Sequence, residues 1–391
     1  METIGKTEGF SGRRAEARLR TPTIERERDL GIDLLRVLAA LMVIGAHVLN
    51  QGGALDAAWG GTENSAGAVV LQSVCMSSVN CFGITTGYML CRSRFHLMRM
   101  LRLWSVVLFY GLLFTGLRLI VAPRAVTSWE LLSAVLPVTF KRMWYVSAYF
   151  GLFFITPFLN RLLRSLNRKQ HLALALVLLF LFSGIATISF SETFGINDRG
   201  HNVLWLGVLY IVGAYVRMHA RPWPRRLSAL LLIGAIAAST VSKYVIAWAA
   251  ELILGRRPGR GLFIRDISPL IVLIALSLFY LLRGFSPKNR AARAAISFAA
   301  PLTFGVYVIH MQPMLWDGWE RTFAPFAGMH VLVFPLAVLG AVFAIFAACM
   351  AIDFLRARVF RLMKIDSALA AIERRALSVW NWALQTAQRA L

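Results

Sequence analysis

Long stretches without a charged residue recur along the whole chain, and no other feature of the sequence constrains the fold as strongly. Each stretch, with its flanking residues, approaches the roughly 20 apolar residues that a membrane-spanning helix needs. Hydrophobic residues make up 58% of the 391 residues and charged residues only 16%, so the chain is more apolar than a typical soluble domain. The sequence therefore predicts an all-α polytopic membrane protein with about ten transmembrane helices. The predicted stretches are 34–49, which contains one charged residue, Arg36, and the uncharged 66–91, 103–117, 143–160, 172–191, 203–216, 227–242, 267–282, 294–316 and 331–352.

The basic residues predict how these helices are oriented. The chain carries 42 Lys and Arg against 19 Asp and Glu, a net charge of +23. If both termini are cytoplasmic, about three quarters of the basic residues fall on the cytoplasmic side, as the positive-inside rule expects. The prediction is N-in and C-in topology. The apolar composition excludes a soluble nucleic-acid-binding protein despite the charge, so we expect a lipid bilayer and no nucleic acid as partners.

Three segments are expected along the chain. Residues 1–30 are a cytoplasmic N-terminal tail without the apolar core of a signal peptide. Residues 31–355 are the ten-helix membrane domain, and residues 356–391 are a cytoplasmic, partly amphipathic C-terminal tail. The four cysteines have no zinc-ligand spacing, so we expect no metal site and no permanently bound cofactor.

The first predicted helix carries three chemically important residues on one stripe. Arg36 and His47 are eleven residues apart, so they lie on one helix face and roughly 16–17 Å apart along its axis. Asp33 precedes Arg36 by three residues and is close enough to pair with it. Ionisable groups within a membrane span are costly and suggest function. On spacing alone, an ion pair at the membrane boundary and a helix-end histidine remain equally good interpretations.

Four further motifs follow in order along the chain, and the set resembles a known family. Together with the stripe from Arg36 to His47, they resemble the acyltransferase 3 family of integral-membrane O-acyltransferases, over about residues 31–353. Thr86 stands where that family more often has Ser, which keeps the hydroxyl. Cys81-Phe82 stands where a Phe pair is common. The motifs are FGITTGYML at 82–90, RMLR at 99–102, MWYVS at 143–147 and TFGVYVIH at 303–310.

The resemblance implies transfer of an acyl group, usually acetyl, from cytoplasmic acyl-CoA to a sugar hydroxyl at or beyond the outer face. Such a transfer needs a base to take the hydroxyl proton, and histidine suits that work near neutrality. The resemblance assigns this role to His47, and a covalent acyl-histidine is the alternative mechanism. His310 is the predicted second catalytic histidine, which would orient the acceptor or the imidazole of His47.

The donor, acetyl-CoA or another acyl-CoA, is strongly anionic, and arginine binds phosphate in a planar bidentate manner. We expect Arg36, Arg99 and Arg102 to bind its phosphates, with Asp33 beside Arg36. The alternative for Arg99 and Arg102 is simple anchoring at the cytoplasmic boundary. Two hydroxyl residues of the second span are expected to line the donor channel, with interhelical hydrogen bonding as the alternative. They are Thr86 and Tyr88.

The acceptor is expected at the opposite side of the membrane. Trp144 and Tyr145 would stack on a sugar, or belong to the aromatic belt that membrane interfaces show anyway. Outer tryptophans, including Trp316 and Trp319, would form an aromatic rim. A basic cluster at Arg256, Arg257, Arg260 and Arg265 departs from the positive-inside rule. An anionic acceptor, a lipid-linked diphosphate sugar or contact with lipid phosphates would each explain it.

The leading hypothesis is a bacterial inner-membrane O-acetyltransferase that modifies a surface or exported polysaccharide or its lipid-linked precursor, with polysaccharide-assembly proteins as possible partners. Within enzymes, the rival is transfer of succinyl or another acyl group. Outside enzymes, the rivals are a membrane transporter and a non-catalytic component of a polysaccharide export or assembly system. Transporters often show inverted repeats and broken helices, which are not evident in this sequence.

Overall fold

The computed structural model of the chain describes residues 29–59, 61–140, 142–189, 200–255 and 261–390. The predicted N-terminal tail, 1–30, lies almost entirely outside these residues. The described part is built from helices and contains no strand. Its helices are α1 (Leu30–Leu49), α2 (Ala54–Ala58), α3 (Ser65–Cys75), α4 (Ser78–Leu90), α5 (Leu97–Val121), α6 (Ser128–Val135), α7 (Trp144–Ser165), α8 (Arg168–Leu179), α9 (Ala186–Ile188), α10 (Val203–Met218), α11 (Arg225–Leu254), α12 (Pro269–Leu282), α13 (Arg290–Ala299), α14 (Thr303–His310), α15 (Pro313–Asp317), α16 (Val333–Leu362) and α17 (Ile365–Ala390).

The helices match the predicted apolar stretches closely. Within the described residues, 8 continuous helical segments are long and apolar enough to cross a membrane, among them α3 joined to α4 and α13 joined to α14. The shorter apolar helices α10 and α12 coincide with two more predicted stretches. The prediction of an all-helical, multi-pass membrane protein is confirmed. The number of spans and their orientation stay predictions.

Prolines end two helices earlier than the sequence analysis predicts. One stretch was expected over 294–316, but the helix ends at His310 and α15 begins separately at Pro313. The capping-box pattern at 127–130 predicts a second, short helix over 128–140, but this helix, α6, ends at Val135, two residues before Pro137. Proline has no N–H to continue a helix, and it disfavours the helical conformation of the residue before it. Hydropathy does not register this effect, because Pro interrupts the helix without adding charge.

Helices α4 and α10 cross in direct backbone contact. A Cβ atom on Gly87 would lie 2.0 Å from the carbonyl oxygen of Tyr210, and one on Gly213 would lie 2.0 Å from the carbonyl oxygen of Ile84. Only glycine fits at these two positions, and small residues commonly permit such close helix approach in membranes. Because α4 also packs on α1, this crossing holds the wall that α4 contributes to the candidate site.

A buried carboxylate joins three helices. Asp353 of α16 is fully buried and accepts hydrogen bonds from the Tyr110 hydroxyl on α5 (3.0 Å) and from Nε and Nη2 of Arg356 (2.8 and 3.0 Å). It also lies directly against Gly305 of α14, where a Cβ atom would be 1.9 Å from Asp353 Cγ. The position of α14, which ends at His310, therefore depends on this contact.

The C-terminal segment is helical and packs on the start of α5. Helix α16 continues to Leu362, so it passes the predicted start of the tail at 356. In α17, Glu373 Oε1 accepts a hydrogen bond from the Met98 backbone N–H (2.9 Å), one of the first amides of α5 that lack a partner within the helix. Asp366 pairs with Arg102 of α5, with 2.9 Å between Oδ1 and Nε. These contacts fix α17 across the beginning of α5.

The contact between Gly305 and Asp353 yields a stability prediction. A Gly305→Ala substitution would force the carboxylate away from Tyr110 or Arg356, and overpacking of this kind destabilises by about 1–3 kcal/mol. We expect a lower midpoint of thermal unfolding for the purified protein in detergent. The matched control is Gly340→Ala on α16, where a Cβ atom meets nothing within 4 Å and alanine is the better helix former. Equal midpoints for the two variants would contradict the assigned packing.

Candidate functional site

A large cavity of about 940 Å³ lies within the helix bundle. Its walls come mainly from α1, α4, α5, α7 and α14, with contributions from α3, α15 and the segment before α12. Arg36 and His47, at opposite ends of the stripe on α1, both line it. The polar and aromatic side chains on its wall are Arg36, His47, Asn50, Gln51, Asp56, Gln72, Ser78, Thr85, Thr86, Ser93, Arg99, Trp144, Tyr145, Tyr149, His201, Arg265, Asp266, Thr303, Tyr307 and Trp316.

The Arg36 end of the cavity is basic. Arg36 of α1 and Arg99 of α5 both line it, although 63 residues separate them in the chain. Arg99 Nη1 donates to the Ser93 hydroxyl (3.3 Å), and Arg36 Nη1 lies 3.4 Å from Asp33 Oδ1. Asp33 is buried and does not line the cavity, so it can orient the Arg36 side chain without contacting a ligand in the cavity. Two guanidinium groups facing one cavity can bind an anionic ligand.

Three of the residues predicted for donor binding occupy different surroundings. Thr86 lines the cavity, and its hydroxyl donates to the Phe82 carbonyl of its own helix (2.7 Å). Tyr88 lies off the cavity wall and accepts a hydrogen bond from Arg217 Nη1 (2.8 Å). Arg102 is largely exposed and pairs with Asp366 of α17. The structure therefore brings Arg36, Arg99 and Thr86 together on one wall, and places Tyr88 and Arg102 outside it.

The His47 end of the cavity contains a cluster of aromatic rings. The imidazole of His47 packs edge-on against Trp316 of α15, with 4.8 Å between ring centroids. Its centroid lies 5.5 Å from that of His310 and 6.3 Å from that of Trp319. The turn at Pro313 brings α15 back over the end of α1, so the early end of α14 at His310 creates this arrangement.

The hydrogen bonding of His310 fixes which of its nitrogens carries the proton. Nδ1 lies 2.8 Å from the carbonyl oxygen of Val306, which can only accept, so Nδ1 is the N–H donor. Nε2 is buried and has no hydrogen-bond partner among the described residues. In the neutral ring this nitrogen is a lone-pair acceptor. This buried, unsatisfied acceptor belongs to a ring whose centroid lies 5.5 Å from that of His47, and it is a polar group available for chemistry.

Trp144 and Tyr145 both line the cavity, and Trp144 stacks on a histidine that sequence reasoning missed. The rings of Trp144 and His201 are 4.2 Å apart and nearly parallel, at 14°. His201 Nε2 lies 2.9 Å from Asp266 Oδ2, and the Asp266 carbonyl accepts from Asn80 Nδ2 (2.7 Å). His201 and Asp266 also line the cavity. They are 65 residues apart and belong to no local motif, so no sequence signal links them.

A buried lysine contacts a residue of the cavity wall. The predicted apolar stretch 227–242 stops just before Lys243, but α11 continues past this residue, which is only 2% exposed. It contacts Gln72 of α3, which in turn contacts Asn50 at the end of α1. The helix continues to Leu254 because lysine is a good helix former, and its charge does not end the helix as it ended the apolar stretch.

The segment after His310 is tied to α5 and α6 by two arginines. Arg142 donates to Gln312 Oε1 (3.0 Å), Thr115 Oγ1 (3.0 Å) and the Glu130 carbonyl (3.2 Å). Burial lowers the pKa of the Arg142 guanidinium, and the nearby Glu130 carboxylate opposes that shift. Arg118 pairs with Glu130 (3.3 Å) and with Asp317 of α15 (2.7 Å). These contacts hold α15 over His47.

The predicted basic cluster is only partly described. Arg265 lines the cavity. Arg256, Arg257 and Arg260 lie outside the described residues. Over the part of the chain that the structure describes, no group of three or more His, Cys, Asp or Glu side chains is arranged to hold a metal ion.

Comparison with known proteins identifies one family. The model of the acyltransferase 3 family, described as an acyltransferase domain, matches residues 29–354. No curated protein and no solved structure matches the chain. The match covers all helices from α1 to most of α16, and therefore every described residue that lines the cavity.

The location of Thr86 on the cavity wall makes a labelling prediction. A Thr86→Cys variant should react with a small, water-soluble thiol reagent at least roughly tenfold faster than an Ile84→Cys variant, because thiol reactivity follows exposure. Ile84 is on the same helix but is fully buried against the apolar core. Labelling of the unmodified protein supplies the background from the native cysteines. Similar rates for the two variants would mean that the cavity is closed to water.

Proposed function

The chain belongs to the acyltransferase 3 family, and from its cavity we propose that it is a membrane O-acyltransferase that moves an acyl group, most simply acetyl, from acyl-CoA to a hydroxyl of a surface or exported polysaccharide or its lipid-linked precursor. The family makes the chain a multi-pass membrane acyltransferase. The observation that carries the finer proposal is a single cavity with two arginines at one end and two histidines near the other. Such a cavity suits an anionic donor that enters at one end and reacts at the other. We place the protein in a bacterial inner membrane.

The Arg36 end fits the phosphates of acyl-CoA. Arg36 and Arg99 come from different helices and converge on one wall, so their guanidinium groups can bind phosphate oxygens in a bidentate manner. Asp33 holds Arg36 in place without facing the cavity. The acylated arm of the donor then extends along Thr86 toward His47, and its apolar and amide parts meet a mixed apolar and polar wall.

His47 is the base of the proposed reaction. Its imidazole takes the proton of the acceptor hydroxyl as that oxygen attacks the thioester carbonyl carbon. The C–O bond forms, the C–S bond breaks, and the CoA thiolate leaves and takes the proton back from the imidazolium. The covalent variant, in which His47 itself accepts the acyl group first, uses the same position.

His310 is proposed to orient His47. Because Nδ1 of His310 donates to Val306, its Nε2 is an acceptor at the ring edge. In the proposed arrangement the single N–H of the neutral His47 ring donates to this acceptor, which leaves the other nitrogen of His47 free of a proton and able to act as a base. The Trp316 ring packs edge-on against the His47 ring and limits its rotation.

The acceptor is proposed to bind at the His47 end. Trp144, Tyr145 and Trp316 all line the cavity, Trp316 packs directly on His47, and flat aromatic rings suit the apolar faces of sugar rings. The carboxylate and imidazole of Asp266 and His201 add hydrogen-bonding groups for hydroxyls beside Trp144. Arg265 on the same wall suits an acceptor with negative charge.

The role of His47 predicts loss of transfer on substitution. His47→Ala should lower the rate of label transfer from acetyl-CoA to a glycan acceptor by about 10²–10⁴-fold, the usual contribution of a general base. The measurement uses purified protein in detergent and candidate glycans. The control is His330→Ala, an exposed histidine away from the cavity. Wild-type transfer by His47→Ala protein would contradict the assignment, and loss of glycan export in its place would favour a transporter.

The positions of the two arginines of the RMLR motif predict unequal effects on the donor. Arg99→Ala should raise the KM for acetyl-CoA more than Arg102→Ala, because Arg99 lines the cavity whereas Arg102 is paired with Asp366. Steady-state kinetics at varied acetyl-CoA concentration measure both. An equal or larger effect of Arg102→Ala would show that the donor binds outside the cavity, at the start of α5.

A further inference from the structure

A buried lysine inside a membrane helix has no role in the reaction as described so far. Lys243 of α11 is 2% exposed, and a charge at such a position is expensive unless it serves a purpose. Its Nζ lies 4.3 Å from the centre of the Trp59 ring and 3.4 Å from Gln72 Oε1. Asp56 acts on it electrostatically from the cavity wall. Gln72 therefore lies between Lys243 and Asn50, which follows the last residue of α1.

The charge of Lys243 sets the orientation of two amides. An ammonium group can only donate hydrogen bonds, so Gln72 must turn its oxygen toward Lys243 and its nitrogen away. Gln72 Nε2 then donates to Asn50 Oδ1 (3.0 Å), and Asn50 in turn directs its nitrogen toward the Ala46 carbonyl (2.7 Å). The result is a relay of three side chains, Lys243, Gln72 and Asn50, in which each donates to the next.

The relay leaves N–H groups at the cavity next to His47. Asn50 and Gln72 both line the cavity, and Asn50 follows His47 by three residues, about one helical turn. Each amide nitrogen carries two hydrogens, and the relay with Ala46 uses one of each. The second contact of Asn50 Nδ2 is the Met76 sulfur at 4.0 Å, a weak acceptor that a ligand oxygen can replace.

We propose that the relay forms the oxyanion-stabilising wall of the acyl-transfer site, a role that rests on the proposed function. As the acceptor oxygen bonds to the thioester carbonyl carbon, the electron pair of the C=O bond moves onto the carbonyl oxygen. Asn50 Nδ2 donates to that oxygen, and the C=O bond reforms when the C–S bond breaks. A preoriented donor of this kind stabilises the negative charge that develops on the carbonyl oxygen in the transition state. Asn50 is thus a catalytic residue, and Gln72 and Lys243 are positioning residues.

The decisive variant is Gln72→Glu, which keeps the shape of the side chain. A carboxylate only accepts, so the Asn50 amide must turn its nitrogen toward it and present its oxygen to the cavity. We expect kcat to fall by about 10²–10³-fold, with the KM of acetyl-CoA and of the glycan nearly unchanged, because the oxyanion exists only in the transition state. Lys243→Met should lower kcat in the same direction. Ser239→Ala, one turn earlier on α11 and bonded only to its own helix, is the control for disturbing that helix and should leave kcat unchanged.

A second variant covers the case in which Gln72→Glu fails to fold. Asn50 is exposed at the end of α1, and Asn50→Asp replaces its donor with an acceptor at the same size. It should show the same loss of kcat with the thermal midpoint of the wild type. Wild-type kcat in either folded variant would overturn the proposal. So would a loss that appears only in the KM of one substrate, which would make the wall a binding surface.

Hydrolysis of acetyl-CoA separates this proposal from the proposed function. Attack by water on the thioester passes through the same oxyanion, so the slow release of CoA without any glycan should also fall in Gln72→Glu protein. If the wild type hydrolyses acetyl-CoA but transfers to no glycan, the polysaccharide acceptor is wrong and the wall is still tested. If the wild type neither hydrolyses acetyl-CoA nor transfers its acetyl group to a glycan, both the proposed function and the oxyanion-stabilising role of the relay are wrong.

Discussion

Polar groups inside a bundle of apolar helices have to satisfy one another, because lipid offers them no hydrogen bonds, and the architecture described above depends on that constraint. Asp353 shows it most simply, since its carboxylate is bound by Tyr110 and Arg356 and joins α5 to α16. Glycine at position 305 brings α14 against the same carboxylate. The helix that ends in His310 is therefore placed by its close contact with the Asp353 side chain.

The same constraint explains the cavity. The open space of the cavity lets Arg36, Arg99 and His47 remain within the bundle without a protein partner for every polar atom. Away from the cavity, polar side chains such as Tyr88 and Arg217 pair with each other. Beside His47, the buried Nε2 of His310 has no hydrogen-bond partner among the described residues, and the proposed orienting role of His310 requires an acceptor at that point.

Much of the fold could be predicted from the sequence, because burial in a membrane leaves a strong local signal. Apolar stretches placed nearly every long helix, and the spacing from Arg36 to His47 placed both on one cavity wall. What the sequence did not reveal depends on contacts between distant residues. The pairing of Arg102 with Asp366 crosses 264 residues, and that of His201 with Asp266 crosses 65. Lys243 looked like the end of a span, because hydropathy registers its charge but not the Trp59 ring and the Gln72 amide that accommodate it.

The central claim is that the donor binds along one cavity, with its phosphates at Arg99 and its acyl group at His47, and that the acceptor binds beside His47. An assay with the full-length protein in liposomes of known orientation tests it most directly, with labelled acetyl-CoA supplied on one side and glycan on the other. The account predicts transfer only when acetyl-CoA is on the side of Arg99 and the glycan is on the side of His47. Efficient transfer with both substrates confined to a single side, or with the two sides exchanged, would contradict it.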